Sequence, residues 1–304
     1  MSTSQKIRFP ESERAFWAVV ALILLVAFAF RLPGLATRSL WIDELFTEWF
    51  AARSFAELWT DVPQFETHPP FYYSILKLWT LLFGNSELAL RSLSLGFSLA
   101  TVLVVALSGR FLDAGWRGRA AGLLGAALVA VNYASIREAQ NARPYALQGL
   151  VCTVAIFAAL VLVDRLRHPS REPARRNGWL APALVLGVSA GAGLWIHNTG
   201  FFVAFGIWLG LALTLLFTRA EQRLRHFLIF LGAGILALLV WAPYLPIFLD
   251  QSRRFMGLAF WLTPKSRDLY SAWLLMLGDS WPLAILPLVL LVYGFFRLFR
   301  CSPV

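Results

Sequence analysis

The chain has 304 residues, of which 59% are hydrophobic and 14% charged, and its mean hydropathy is +0.65. Soluble domains average about 45–50% apolar and about 25% charged residues, so this composition excludes an ordinary soluble domain. The net charge of +10 does not mark a nucleic-acid binder either. Its basic residues fall in short segments between apolar runs, as in the loops of membrane proteins, and no basic, aromatic-interleaved soluble domain is present.

In chain order, the apolar runs predict spans near 15–33, 87–107, 118–136, 145–163, 179–196, 200–218, 227–248 and 282–299, each close to the ~20 residues that match a hydrocarbon core. The first follows Lys6, Arg8 and Arg14 and reads as a retained signal anchor rather than a cleaved leader. The stretch 71–83 is short for a crossing, contains Lys77, and mixes Tyr72, Tyr73 and Trp79 with aliphatics, so it reads as an interfacial helix. Arginine placement decides the topology. If 71–83 does not cross, Arg110, Arg117, Arg119, Arg165, Arg167, Arg171, Arg175, Arg176, Arg219, Arg223 and Arg225 all face the cytoplasm. The expectation is an all-α, polytopic transmembrane bundle of eight spans in a single domain over 1–304. Both termini are cytoplasmic in the plasma (inner) membrane, with interfacial helices in the first outer loop.

Three outward segments then carry chemistry-bearing side chains. In the first, Trp41-Ile42-Asp43-Glu44 puts adjacent carboxylates beside an apolar surface. They are either a solvated loop or a general base or cation ligand at the membrane face. Further along, Thr67-His68-Pro69-Pro70-Phe71-Tyr72-Tyr73 uses two prolines to start a helix abruptly. His68 is there a metal ligand, a donor to phosphate, or a satisfied turn residue. In the second segment, Arg137-Glu138-Ala139-Gln140-Asn141-Ala142-Arg143-Pro144-Tyr145 places two arginines on the side that the charge rule disfavours. They suit an anionic ligand, unless they pair with a neighbour such as Glu138. The third holds Arg253, Arg254, Lys265 and Arg267 among aromatics, a second phosphate patch or a set of snorkelling anchors. Cys152 and Cys301 have no metal or disulfide spacing.

Four of these pieces in order resemble the GT-C membrane glycosyltransferases, and most closely the bacterial protein-mannosyltransferase-related family that includes lipopolysaccharide galacturonosyl- and aminoarabinosyltransferases. They are Asp43-Glu44, His68 through Tyr73, Glu87-Leu88-Ala89-Leu90-Arg91, and Gln140 through Leu147. The resemblance covers roughly residues 30–165, and the spans over 179–300 match by hydropathy alone. It implies a glycosyltransferase that moves a sugar from a polyprenyl-phosphate donor to a hydroxyl of a glycan, lipid or protein acceptor. By the same resemblance Asp43 is the general base with Glu44 beside it, and His68 with Asp43 is the candidate ligand pair for a divalent cation. Arg143 is the donor-phosphate contact, and Tyr145, Gln140, Tyr72 and Lys265 are further substrate-binding candidates. The family often has Gln-Glu-Ala-Arg where this chain has Gln140-Asn141-Ala142-Arg143, so one carboxylate is missing here, and Glu138 stands three residues before Asn141. The rival classes are a lipid or solute transporter and a non-catalytic polytopic scaffold. Charges at span ends rather than within spans, and the lack of repeated halves, argue against transport.

Overall fold

The computed structural model describes residues 13–113, 115–167, 178–217 and 222–255, with seven isolated positions beyond. The eighth expected span therefore falls almost wholly outside the described residues, and Lys265 falls outside them altogether. Every regular element among the described residues is helical. The first is α1 (Glu13–Arg31). The long connection after it carries α2 (Ile42–Ala52), α3 (Phe55–Thr60), a 3-10 turn (Val62–Gln64) and α4 (Phe71–Phe83). Then follow α5 (Glu87–Leu112), α6 (Trp116–Val131), α7 (Tyr133–Ala139), α8 (Tyr145–Arg167), α9 (Leu180–Ile196), α10 (Gly200–Phe217), α11 (Arg223–Trp241) and α12 (Leu245–Phe255).

Local signals set most boundaries. Ser54 and Ser86 accept the amides of Glu57 and Ala89 at the starts of α3 and α5, as N-cap hydroxyls do. The α4 helix starts directly after Pro69-Pro70 and stops at Gly84, whose φ of 80° is a left-handed conformation that suits glycine. At 13 residues, α4 is about 20 Å long, well under the ~30 Å of a hydrocarbon core. Tyr72, Tyr73 and Leu76 on its inner face are fully buried.

By length and composition α1, α5, α8, α10 and the α11–α12 pair can each cross a bilayer. The expected span at 118–136 is instead broken. The helices α6 and α7 meet at a 63° bend, where Asn132 ends one and caps the other by accepting the Ser135 amide. That bend leaves the last carbonyls of α6 without helical partners, which is costly away from water. Arg31, fully buried at the end of α1, supplies them. Its guanidinium donates to the carbonyls of Ala130 and Val129 at 2.6 and 3.0 Å, and to Ser98 and Ser135 at 2.8 Å each.

At the opposite end of the bundle Glu13 pairs with Arg110 at 2.9 Å and Arg119 at 3.1 Å. The start of α1 thus lies beside the α5–α6 turn. The α9 helix is shorter, 17 residues, and lies against α11 with little space between the backbones. A Cβ on Gly187 would sit 2.7 Å from the Ala233 carbonyl oxygen, and one on Gly191 2.6 Å from that of Ala237. Small residues at such crossings let dispersion contacts replace the missing hydrophobic drive between helices in lipid. Gly191→Val is therefore expected to push α9 off α11 and to cost about 1–3 kcal/mol in detergent unfolding. Gly206→Val, with open space around its Cβ position, should leave the midpoint unchanged.

Candidate functional site

The site lies where the first turn of α2, the 66–68 loop, the 140–145 loop and the α9–α10 turn come together. Its foundation is an ion pair. Glu44 is fully buried, and Arg91 of α5 meets it side-on, with Nε donating to Oε1 at 2.8 Å and Nη2 to Oε2 at 2.7 Å. The Ala142 amide donates to Glu44 Oε1 at 2.8 Å, and the Trp41 amide approaches Oε2 at 3.3 Å. Burial raises the Glu44 carboxyl, but these donors outweigh it and hold the group below its ordinary value. The rest of the Arg91 fork takes the carbonyls of Leu35, Arg38 and Ser39 at 3.0, 2.7 and 3.1 Å. Glu44 is thus spent on structure and is not available as a second catalytic carboxylate.

Asp43, its neighbour, points the other way. Its side chain is 37% exposed, and Arg143 Nη2 stands 3.9 Å from its Oδ2. Arg143 is 4% exposed, and its Nη1 donates to Thr47 Oγ1 at 3.2 Å and to the Asp43 carbonyl at 3.3 Å. Arg143 Nε and the Tyr73 hydroxyl are buried without a protein partner. Orphaned buried donors are rare in folded proteins, and Arg143 Nε is one that lies beside a partly exposed carboxylate.

The 66–68 loop completes that wall. Glu66 Oε1 accepts from the His68 amide at 2.9 Å and lies 2.6 Å from His68 Nδ1. Burial opposes ionisation of Glu66, yet His68, with help from Arg143, holds its carboxyl down to about 2. Two further groups fix this loop from behind. Gln251 of α12 donates to the Glu66 and Pro63 carbonyls at 2.7 and 3.2 Å, and Tyr244 donates to Gln251 at 2.8 Å.

The structure brings Asp43, Arg143, Tyr145 and His68 to one place, but it removes two other expected substrate contacts. Tyr72 is fully buried and its hydroxyl faces Ser94 at 3.3 Å, so it belongs to the core, as does the equally buried Tyr73 beside it. Gln140 turns away to the end of α1, donating to the Pro33 and Arg31 carbonyls at 2.6 and 3.3 Å. Among the described residues no three His, Cys, Asp or Glu side chains gather as they would about a metal, and His68 Nδ1 is already bonded to Glu66. Asn141 Nδ2 lies 3.4 Å from Glu138 Oε2, and Glu138 in turn binds Arg137 at 2.6 Å. Of the two arginines in this segment, then, Arg137 is neutralised next door and Arg143 faces Asp43.

Sequence reasoning missed the turn between α9 and α10. The His197 ring sits 4.6 Å from that of His68 and 5.6 Å from that of Tyr145, and Asn198 donates to the Thr67 carbonyl at 3.0 Å. Burial, then the nearby His68 and Arg143, push the His197 imidazole down to about 4. A three-residue turn gives no periodicity to read. Its only signal was a polar His-Asn-Thr run between two apolar spans.

Two stability tests follow from this geometry. Arg91→Ala strands the Glu44 carboxylate and should cost about 3–5 kcal/mol. Adding Glu44→Gln to that variant should recover part of the loss, read as a positive coupling in a double-mutant cycle of detergent unfolding. The second test concerns pH. Below about 6.5 the unfolded chain takes up a proton that folded His197 refuses until about 4, so stability falls as pH drops through that window. The thermal midpoint should fall less steeply between those pH values in His197→Gln than in the wild-type protein.

The dolichyl-phosphate-mannose-protein mannosyltransferase family matches residues 67–247. No curated protein matches the chain. Among solved structures, the *S. cerevisiae* protein O-mannosyltransferase Pmt1-Pmt2 complex bound to the sugar donor superposes with a TM-score of 0.56 at 17% identity. The match covers 78% of this chain and 34% of that one, so it speaks for the fold, and this chain spans about a third of that protein. The helical bundle, its shared fold and a family match running through more than half of the residues agree: the chain belongs to the dolichyl-phosphate-mannose-protein mannosyltransferase family, within the GT-C superfamily of membrane glycosyltransferases.

Proposed function

We propose that this protein moves a sugar from a polyprenyl-phosphate donor to an acceptor hydroxyl at the outer face of the inner membrane. The observation that carries the reading is the pairing of a half-exposed Asp43 carboxylate with a buried Arg143 whose Nε has no protein partner. Orientation rests on the two ends of the bundle. Glu13, Arg110 and Arg119 cluster at one end, and Arg165, Arg167, Arg223 and Arg225 stand at the last turn of α8 and the start of α11. The site lies at the starts of α5 and α8 and the ends of α9 and α11, the opposite end. The positive-inside rule then favours the cytoplasm for the end that holds the start of α1, and the outer face for the site.

In this reading Asp43 accepts the proton of the acceptor hydroxyl as that oxygen attacks the anomeric carbon. The new C–O bond forms while the bond from the anomeric carbon to the phosphate oxygen breaks, and the phosphate leaves with both electrons. Attack opposite the leaving group inverts the anomeric centre. Arg143 meets the charge that grows on the departing phosphate, in a setting too buried for water to screen it. A guanidinium suits this task because it stays charged and presents its donors as a fork. Glu44 and Arg91 act through the other groups, as positioning residues, since one anchors α2 next to Asp43 and also binds the amide just before Arg143.

The test is transfer of radiolabelled sugar from polyprenyl-phosphate donors by the purified protein. Asp43→Asn, which keeps shape and removes the base, should lower turnover by about 10²–10⁴-fold with no change in membrane insertion. Arg143→Lys should weaken both turnover and donor binding. Full activity in Asp43→Asn would refute the assignment.

A further inference from the structure

The α9–α10 turn has no role in the chemistry just described, yet it is built with care. Asn198 ties it to the loop that carries His68. At Gly200 a Cβ would lie 3.0 Å from the Gly193 carbonyl oxygen and 3.1 Å from Gln148 Nε2, so the turn packs closely against the end of α9. His197 is locked as well. The Thr199 backbone amide donates to His197 Nδ1 at 3.0 Å. A backbone N–H can only donate, so Nδ1 is the acceptor, and in the neutral imidazole Nε2 carries the proton. The turn thus presents a fixed, uncharged N–H donor next to the Glu66–His68 pair and Arg143.

Three rings meet there. His197 lies 4.6 Å from His68 and 5.6 Å from Tyr145, and His68 lies 6.2 Å from Tyr145. All three keep part of their surface exposed, unlike the fully buried Tyr72 and Tyr73. A pyranose has C–H faces that pack on aromatic rings and a rim of hydroxyls that need directed partners. A pocket of rings with a few placed polar groups is the general form of such a site. A phosphate would favour a cation, and that place is taken by Arg143.

Resting on the function proposed above, we infer that the rings of His68, Tyr145 and His197 form the subsite for the transferred sugar, with His197 Nε2–H donating to one of its hydroxyls. His197 is then a determinant of sugar preference. The lipid phosphate is held without it.

The experiment compares two kinds of lipid on the full chain in nanodiscs. One is bare polyprenyl phosphate, and the other is polyprenyl phosphate carrying mannose, glucose or galacturonate, using whichever of the three binds best. His197→Phe keeps a ring and removes the donor, while His197→Gln keeps an N–H near the Nε2 position. His197→Phe should weaken the sugar-bearing lipid about tenfold, as for one neutral hydrogen bond, and leave the bare lipid unchanged. His197→Gln should recover most of that loss. Equal weakening of both lipids would overturn the inference, because it places His197 on the phosphate or in the framework. So would unchanged binding of both, or a wild-type protein that holds the bare lipid and gains nothing from any of the sugars. If the wild-type protein binds neither kind of lipid, the lipid-phosphate donor itself is refuted, and the subsite falls with it.

Discussion

The site depends on one buried ion pair. Glu44 and Arg91 are together almost wholly removed from solvent, at 0 and 2% side-chain exposure. A buried pair of charges is tolerable only when its remaining hydrogen-bonding capacity is also met. Here the surplus is what organises the molecule. The spare Arg91 donors gather the carbonyls of the loop after α1, and the spare acceptor capacity of Glu44 takes the amides of Trp41 and Ala142. Three segments far apart in sequence, 35–44, the start of α5 and the 140–145 loop, are thereby fixed to one point. Asp43 and Arg143 are each one residue from that point, which is why they face each other.

The same device recurs. Arg31 satisfies the carbonyls left open where α6 breaks, and Gln140 satisfies those at the end of α1. In each case a long polar side chain from one helix closes the end of another. Away from water an open carbonyl has no other remedy, so an irregular backbone near a membrane needs such a residue for every break. The irregular end of the bundle is the end that gathers Asp43, Arg143 and His68. The arginines and amides beneath it are the cost of that irregularity.

The division of labour between adjacent residues follows from this. Asp43 and Glu44 are chemically alike, yet Glu44 is consumed by its ion pair with Arg91 while Asp43 keeps a partly exposed carboxylate. A helix turns about 100° per residue, so neighbours cannot face the same surroundings. Chemical identity alone therefore does not assign a role.

What the sequence determined by itself was the membrane bundle and most helix limits, because apolar run length, proline pairs and capping residues act locally and are read directly from composition and spacing. It also placed Asp43, His68, Arg143 and Tyr145 in short segments between or beside apolar runs. Tertiary structure alone decided which of those side chains meet, that 118–136 is bent at Asn132 instead of straight, and that His197 joins His68 across more than a hundred residues. The physical reason is that burial and partnership are properties of surroundings. No local pattern shows that Arg91 will face Glu44, or that a three-residue turn will close against a loop more than a hundred residues away.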